Sequence, residues 1–147
     1  MPLDPTDSSG KRRRKLLIVD DNRFFIRSLK SLIDGEPDMV VCDLAESSEQ
    51  LFRAMKQSSP DMIVLDIMLG PENGLQIAEE LRKQGVKTPL LLISSLATPS
   101  RKDLQQIGRC VFCRKGDVPA KLLHQARAGL MMIDDPWKQA KRAKQAA

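Results

Sequence analysis

Met62-Ile-Val-Leu-Asp66 is the stretch that most limits what this chain can become. Four apolar residues, two of them branched at Cβ, follow the helix-breaking pair Ser59-Pro60 and end in a carboxylate. Gly70-Pro71 and Gly74 then forbid a simple continuation. This is the pattern of a strand buried on both faces whose last residue emerges at the carboxyl end of a sheet. In open α/β sheets that edge collects ligands, because strand ends and the N-termini of the following helices converge there. Position alone therefore makes Asp66 a candidate for chemistry.

The pattern recurs along the chain. Leu16-Leu-Ile-Val19 runs into Asp20-Asp21, Met39-Val-Val-Cys42 forms a second strand, and Leu90-Leu-Leu-Ile93 ends in Ser94-Ser95. Cys110-Val-Phe-Cys113 is the fifth strand, with Lys115 just beyond it. Between these runs the apolar period changes to the helical one. Phe25, Leu29, Leu32 and Ile33 form the first helical face, closed by Gly35 and Pro37. Ser47 and Gln50 give a capping-box signature for a helix carrying Leu51, Phe52 and Met55 to about Gln57. A third helix is expected from about Gly74 to Gln84. A short fourth is expected to open at Thr98-Pro99, and a fifth is expected behind an Asp117 cap, through Leu122, Ala126 and Leu130. Five strands alternating with five helices predict an α/β fold, a (βα)₅ doubly wound parallel sheet with helices on both faces.

At 147 residues there is room for one such domain. Aromatic residues make up 3% and Tyr is absent, so the core must be aliphatic. The formal charge of +5 divides unevenly: residues 1–15 carry +3, residues 134–147 carry +2, and the stretch between is neutral. The expected organisation is a disordered basic tail over 1–14, a folded domain over 15–133 and a basic tail or linker over 134–147. No apolar run approaches the ~20 residues of a membrane span, and no signal-peptide pattern opens the chain. A cytoplasmic location is expected. Three cysteines, an odd number, argue for reduced thiols.

If strands one, three, four and five end at one edge, Asp20, Asp21, Asp66, Ser94 and Lys115 meet in a single crevice. Three carboxylates cannot all remain ionised there without a cation, and Mg²⁺, hard and oxygen-seeking, is the natural occupant. Lys115 and the Ser94 hydroxyl add a positive charge and a donor, the set needed to hold phosphoryl oxygens. The chemistry that fits is phosphoryl transfer onto a carboxylate.

With these residues in hand, the sequence resembles the receiver domains of two-component response regulators, with a flavodoxin-like fold. The resemblance rests on Leu16 to Asp21, Met62 to Asp66, Gly74 eight residues after Asp66, Leu91 to Ser94, and Arg114-Lys115, and covers roughly residues 15–131. It implies strand order 2-1-3-4-5. It further implies Asp66 as phosphoacceptor, with Asp20, Asp21, Asp66 and the Met68 main-chain carbonyl as the Mg²⁺ site. Lys115 is implied as the phosphate's partner, and Ser94 and Phe112 as switch residues. The implied donor is a histidine kinase or phosphotransfer protein, and the implied output is a downstream protein bound by the face of the fourth helix, fifth strand and fifth helix. Such a chain is a signalling domain and not an enzyme. Two departures stand out: Gly70, followed by Pro71, occupies the position four residues after Asp66 where receivers usually have Pro, and Gly116 follows Lys115 where many have Pro. The wording of Asn22 to Asp61 looks like that of receivers attached to helix-turn-helix regulators. Met68 and Leu96 are bulky and apolar where water would approach the phosphoryl group, which predicts slow self-dephosphorylation.

Other features have plainer readings. Cys110-x-x-Cys113 on a strand points its thiols to opposite faces, against a zinc or dithiol site. His124 is expected as a surface or helix-packing residue, Trp137 as an anchor, and the basic run 11–15 as solvated rather than as a nucleic-acid contact. Two functions of other classes compete with the receiver. An adaptor that works unphosphorylated would have lost the acids or the lysine. An aspartyl phosphatase would carry a second acid where Met68 stands. The same pattern suits a receiver that acts alone and the receiver part of a longer, DNA-binding regulator.

Overall fold

The structure, a computed structural model, describes residues 4–96 and 98–132. The expectations for Trp137 and for 134–147 lie outside those residues. The sheet strands are β1 (Arg14–Val19), β2 (Met39–Ala45), β3 (Met62–Asp66), β4 (Leu90–Ser94) and β5 (Cys110–Arg114). The helices are α1 (Arg23–Asp34), α2 (Ser48–Ser58), α3 (Gly74–Lys83), α4 (Arg101–Ile107) and α5 (Leu122–Leu130). All strand pairs are parallel and the order is β2-β1-β3-β4-β5, as expected.

Alternation along the strands divides the core in two. Leu17, Val19, Ile63, Leu65, Leu90 and Leu92 face Leu51 of α2, Ile77 and Leu81 of α3 and Ile107 of α4. Leu16, Ile18, Met62, Val64, Leu91 and Ile93 face Ile26, Leu29 and Ile33 of α1 and Leu122 and Ala126 of α5. Every residue of β3 and β4 is buried, which is why these strands read as unbroken apolar runs. Truncating one such leucine to alanine costs about 2–5 kcal/mol.

Two helix starts differ from expectation. α4 begins at Arg101 behind a capping box in which the Asp103 N–H donates to Ser100 Oγ (3.0 Å) and the Ser100 N–H donates to Asp103 Oδ2 (3.2 Å), two residues later than a Thr98 cap would give. Asp117 does not cap α5 with its side chain. It ends a single 3₁₀ turn, Lys115–Asp117, and Val118, preceding Pro119, is extended with ψ 136°, so α5 waits until Leu122. At α2 the expected box is half formed: the Gln50 N–H donates to Ser47 Oγ at 3.2 Å, while the Gln50 side chain accepts from the Glu46 N–H instead.

Residues 4–14, expected as part of a disordered tail, lie against the domain. Arg12 Nη2 donates to both carboxylate oxygens of Asp61 (2.7 and 2.9 Å), and Lys15 pairs with Asp4 at 3.2 Å. Arg13 donates to the carbonyls of Asp34, Glu36 and Met39, closing the turn after α1, and Arg14 donates to the Leu130 carbonyl at the end of α5. The physical reason is that Arg12 has a carboxylate partner, Arg13 meets carbonyls from the end of α1 through the following turn to the start of β2, and Arg14 meets the carbonyl that ends α5. Arg82 plays a similar part at the opposite end of the molecule from Asp66: its guanidinium donates to the carbonyls of Val86, Thr88, Ile107, Gly108 and Arg109.

Candidate functional site

Three strand ends deliver the site. β1 ends at Val19 and hands the chain to Asp20, which has no exposed surface, and to Asp21, which is exposed. The Asn22 N–H donates to Asp20 Oδ1 at 2.9 Å, and Asn22 in turn caps α1 by accepting from the Phe25 N–H. Asp66 closes β3 and Ser94 closes β4, both buried, on strands paired so that Asp66 lies opposite Ile93.

The loop after Asp66 is shaped by two glycines. Met68–Leu69 pairs with Glu72–Asn73 as a short antiparallel ribbon around Gly70-Pro71. Gly70 takes φ +57°, and a Cβ there would stand 3.3 Å from Asp21 Oδ2, so glycine in the usual proline position lets the ribbon turn against the second acid. Gly74 opens α3 by pressing its backbone onto the strand end: a Cβ would lie 2.2 Å from the Asp66 carbonyl oxygen, and the Gly74 N–H donates to the Ile67 carbonyl at 2.6 Å. The ribbon is also tied to the N-terminus of α2, where the Ser48 N–H (2.9 Å) and hydroxyl donate to the Glu72 carboxylate.

At the centre, Lys115 Nζ lies 2.7 Å from Asp20 Oδ2 and 3.0 Å from Asp66 Oδ2. It donates a hydrogen bond to Asp66. Toward Asp20 it is close but misaligned, which leaves Asp20 Oδ2 buried with a neighbouring charge and no aligned hydrogen-bond donor. The other Asp66 oxygen accepts from the Met68 N–H at 2.9 Å. Burial raises the Asp66 carboxyl above the usual carboxylate range and the charge of Asp20 adds to this, against the pull of the Met68 N–H and Lys115. Burial alone would lower the Lys115 ammonium, but the two aspartates outweigh it and raise it.

Ligand oxygens of Asp20, Asp21 and Asp66 lie within 4.8 Å of one another. An all-oxygen donor set, one member of which has an undirected buried oxygen, fits a hard divalent ion such as Mg²⁺. The remaining sequence-derived residues are nearby in the fold but make different contacts. The Leu96 N–H approaches Ser94 Oγ at 3.3 Å. Phe112 sits on β5 opposite Leu92, partly buried against the α2–α4 side of the core. Met68 and Leu96 stand on the loops of the site, 47% and 83% exposed. One contact escaped the sequence reading: the ring of Phe25, taken only as a core position of α1, lies under the Lys115 ammonium, 4.4 Å from it. The three cysteines are free thiols, and burial raises those of Cys42 and Cys113. None joins a metal-capable group among the described residues. No described helix is long and apolar enough to cross a membrane.

Comparison with known proteins places this geometry. Among curated proteins, a protein-glutamate methylesterase/protein-glutamine glutaminase of Treponema denticola is 31% identical over 104 residues, 69% of this chain and 28% of that protein. The uncharacterized transcriptional regulatory protein YvfU of Bacillus subtilis is 34% identical over 85 residues, 58% of this chain and 42% of that protein. The chain thus matches less than half the length of either relative. The response regulator domain of Thermotoga maritima CheB superposes with a TM-score of 0.72 at 25% identity, covering 82% of this chain and 98% of that one. A LuxR-family two-component response regulator from Aurantimonas sp. SI85-9A1 shares the fold, with a TM-score of 0.73 at 19% identity over 91% of this chain and 98% of that one. A family model described as the response regulator receiver domain matches residues 16–127. Because that match runs from the first buried residue of β1 into α5, the chain belongs to the receiver-domain family of response regulators.

Proposed function

We propose that this receiver is phosphorylated on Asp66 in a two-component pathway, with a histidine kinase or a phosphotransfer protein as donor. The observation that carries the reading is the placement of Lys115 Nζ 3.0 Å from Asp66 Oδ2, inside a cluster of three carboxylates at the carboxyl edge of the sheet. An Asp66 oxygen bonds to phosphorus as the P–N bond of a phosphohistidine breaks, and the imidazole leaves with the electron pair and takes up a proton. Asp20, Asp21, Asp66 and the Met68 carbonyl would hold Mg²⁺, which when bound supplies positive charge for the phosphoryl oxygens. Lys115 supplies the fixed charge on the other side, oriented before the phosphoryl group arrives. Ser94, at the end of β4, then turns its hydroxyl to the phosphoryl group and Phe112 follows on β5, altering the face of α4, β5 and α5 that a protein partner reads.

The matched relatives carry different names, a methylesterase and a transcriptional regulator, so the proposal reaches the receiver unit, 15–133, and its phosphorylation in the cytoplasm, not a particular output. Arg12, Arg13 and Arg14 are engaged with the domain, which weighs against nucleic-acid binding by that run.

Incubation with acetyl phosphate and Mg²⁺ tests the reading. Hydroxylamine-labile phosphate is expected on the wild-type chain, absent from Asp66→Asn and suppressed by EDTA. Equal labelling of the two chains would assign the function elsewhere, and no labelling of either would favour an adaptor that binds unphosphorylated.

A further inference from the structure

We propose that Phe25 is a positioning residue for Lys115: the face of its ring holds the ammonium beside Asp66 by a cation–π contact. The inference rests on the reading of Asp66 as phosphoacceptor and adds to it a residue from a fourth segment of the chain. The ammonium stands 4.4 Å from the ring centroid, well inside the range over which an aromatic face attracts a cation. Its other two partners are Asp20 and Asp66. Three contacts from α1, the end of β1 and the end of β3 thus fix the tip of a flexible four-carbon side chain that itself begins only a one-turn 3₁₀ helix.

The three holders differ in what happens to them during the reaction. Asp66 loses its carboxylate charge when it becomes an acyl phosphate, and Asp20 is one of the acids that would share its charge with a divalent ion. Of the three, Phe25 alone keeps the same chemistry in every state, because a ring face offers no lone pair to a metal and takes no proton. It can therefore keep Lys115 in place while the carboxylates change partners. The rest of Phe25 packs against the α1 and α5 side of the core, a job leucine would do as well, but leucine lacks the negative ring face. Its neighbour Phe24 is 84% exposed and serves as an internal control.

The test uses the full 147-residue chain and two readouts. The first is the proton shift of the Lys115 ε-methylene in metal-free protein. It is expected upfield from the ring current in wild type and Phe25→Tyr, and at the ordinary lysine position in Phe25→Leu. The second is the rate constant of phosphorylation by acetyl phosphate at fixed Mg²⁺. It is expected to fall roughly three- to tenfold in Phe25→Leu and to stay within about twofold of wild type in Phe25→Tyr and in Phe24→Leu. Stepwise fluorination of the ring at position 25 preserves its shape while withdrawing its negative face, so a rate that declines with each fluorine supports the role even if Phe25→Leu folds poorly. An unshifted methylene in wild type, or a rate indifferent to Phe25→Leu and to fluorination, overturns it. If the ring-current shift is present but wild type gains no more phosphate than Asp66→Asn, the phosphoacceptor reading has failed and the positioning role falls with it, while the contact itself stands.

Discussion

Lys115 Nζ is the charge nearest the fully buried Asp20, 2.7 Å from an Oδ2 that has no aligned hydrogen-bond donor. The lysine is therefore a structural counter-ion as well as a chemical group. Lys115→Met leaves two buried carboxylates without their cation, at a cost of about 3 kcal/mol. A divalent ion relieves the same crowding, so Mg²⁺ is expected to raise the melting temperature of wild type and to raise that of Lys115→Met further. Asp21→Asn, with one negative charge fewer around the ion, should respond less. At a hundred times its dissociation constant the ion contributes about 2.7 kcal/mol. Thermal melts of the three proteins with and without Mg²⁺ decide the matter, and identical shifts in all three would remove the acid cluster as the binding site.

Gly70 and Gly74 are required in the loop after Asp66 for different reasons, and alanine at each separates them. At Gly74 a Cβ meets three main-chain atoms of the strand end, 2.2 Å from the Asp66 oxygen, 2.7 Å from Ile67 Cα and 2.9 Å from the Asp66 carbonyl carbon, so α3 must move off it. Gly74→Ala should cost about 3 kcal/mol or more and take Asp66 out of register with Lys115, abolishing phosphorylation. At Gly70 the penalty is the left-handed φ of +57°, about 1–2 kcal/mol, with Asp21 crowded but the Asp66–Lys115 pair untouched. Gly70→Ala is expected to be less stable but still phosphorylatable. Denaturant unfolding and acetyl phosphate labelling of both variants give the comparison. A Gly74→Ala protein with wild-type labelling would show that the close approach is dispensable.

The sheet and its acidic edge were legible because they rest on local signals: unbroken apolar runs mark strands buried on both faces, and the next polar residue is carried to the rim. What the sequence could not separate was Asp20 from Asp21, adjacent acids of which one is buried under Lys115 and the other is exposed beside Gly70. Phe25 fitted the α1 period so well that its second role was invisible. The basic run read as a tail because its partners, Asp61 and the carbonyls after α1, lie tens of residues away. Arg82 and Glu72 carry no motif; five main-chain carbonyls, four in loops and one at the end of α4, and the α2 N-terminus single them out only after folding. The late start of α5 was encoded in Pro119, but Asp117 offered a competing cap signal.

Arg127 joins α5 to the turn before β2, pairing with Glu36 (2.9 Å) and with both oxygens of Asp38 (2.9 Å each). The Arg127 hydrogen bonds hold the Asp38 carboxyl below the usual carboxylate range. A carboxyl depressed in the folded state contributes stability that is present above its unfolded value of 3.8 and is lost as pH falls through its folded value. The pair is half exposed, so its worth after solvent screening is under about 1 kcal/mol. Arg127→Gln is expected to lower unfolding free energy by that amount at pH 7 and by progressively less as the pH drops below 3.8. A wild-type-to-variant difference that stays constant from pH 7 to pH 3 would mean that Arg127 acts through packing rather than charge.

Met68 and Leu96 are expected to set how long a phosphoryl group on Asp66 lasts. Both stand exposed on the loops that follow Asp66 and Ser94, where water would approach a phosphoryl group carried by Asp66. Hydrolysis needs that water held in line with the Asp66–phosphorus bond, and a polar side chain at the rim can hold it through a hydrogen bond, whereas a thioether and an isobutyl group cannot. Their bulk also competes with the water for space. Met68→Asn and Leu96→Asn are therefore expected to shorten the half-life of hydroxylamine-labile phosphate, by about tenfold when combined, after the phosphodonor is removed by gel filtration in the presence of Mg²⁺. Because the Lys115 ammonium is held by Asp20, Asp66 and Phe25, the phosphorylation rate should change much less than the hydrolysis rate. Equal half-lives in wild type and the double variant, or a wild-type half-life no longer than that of a receiver with polar residues at both positions, would show that the rim does not control water.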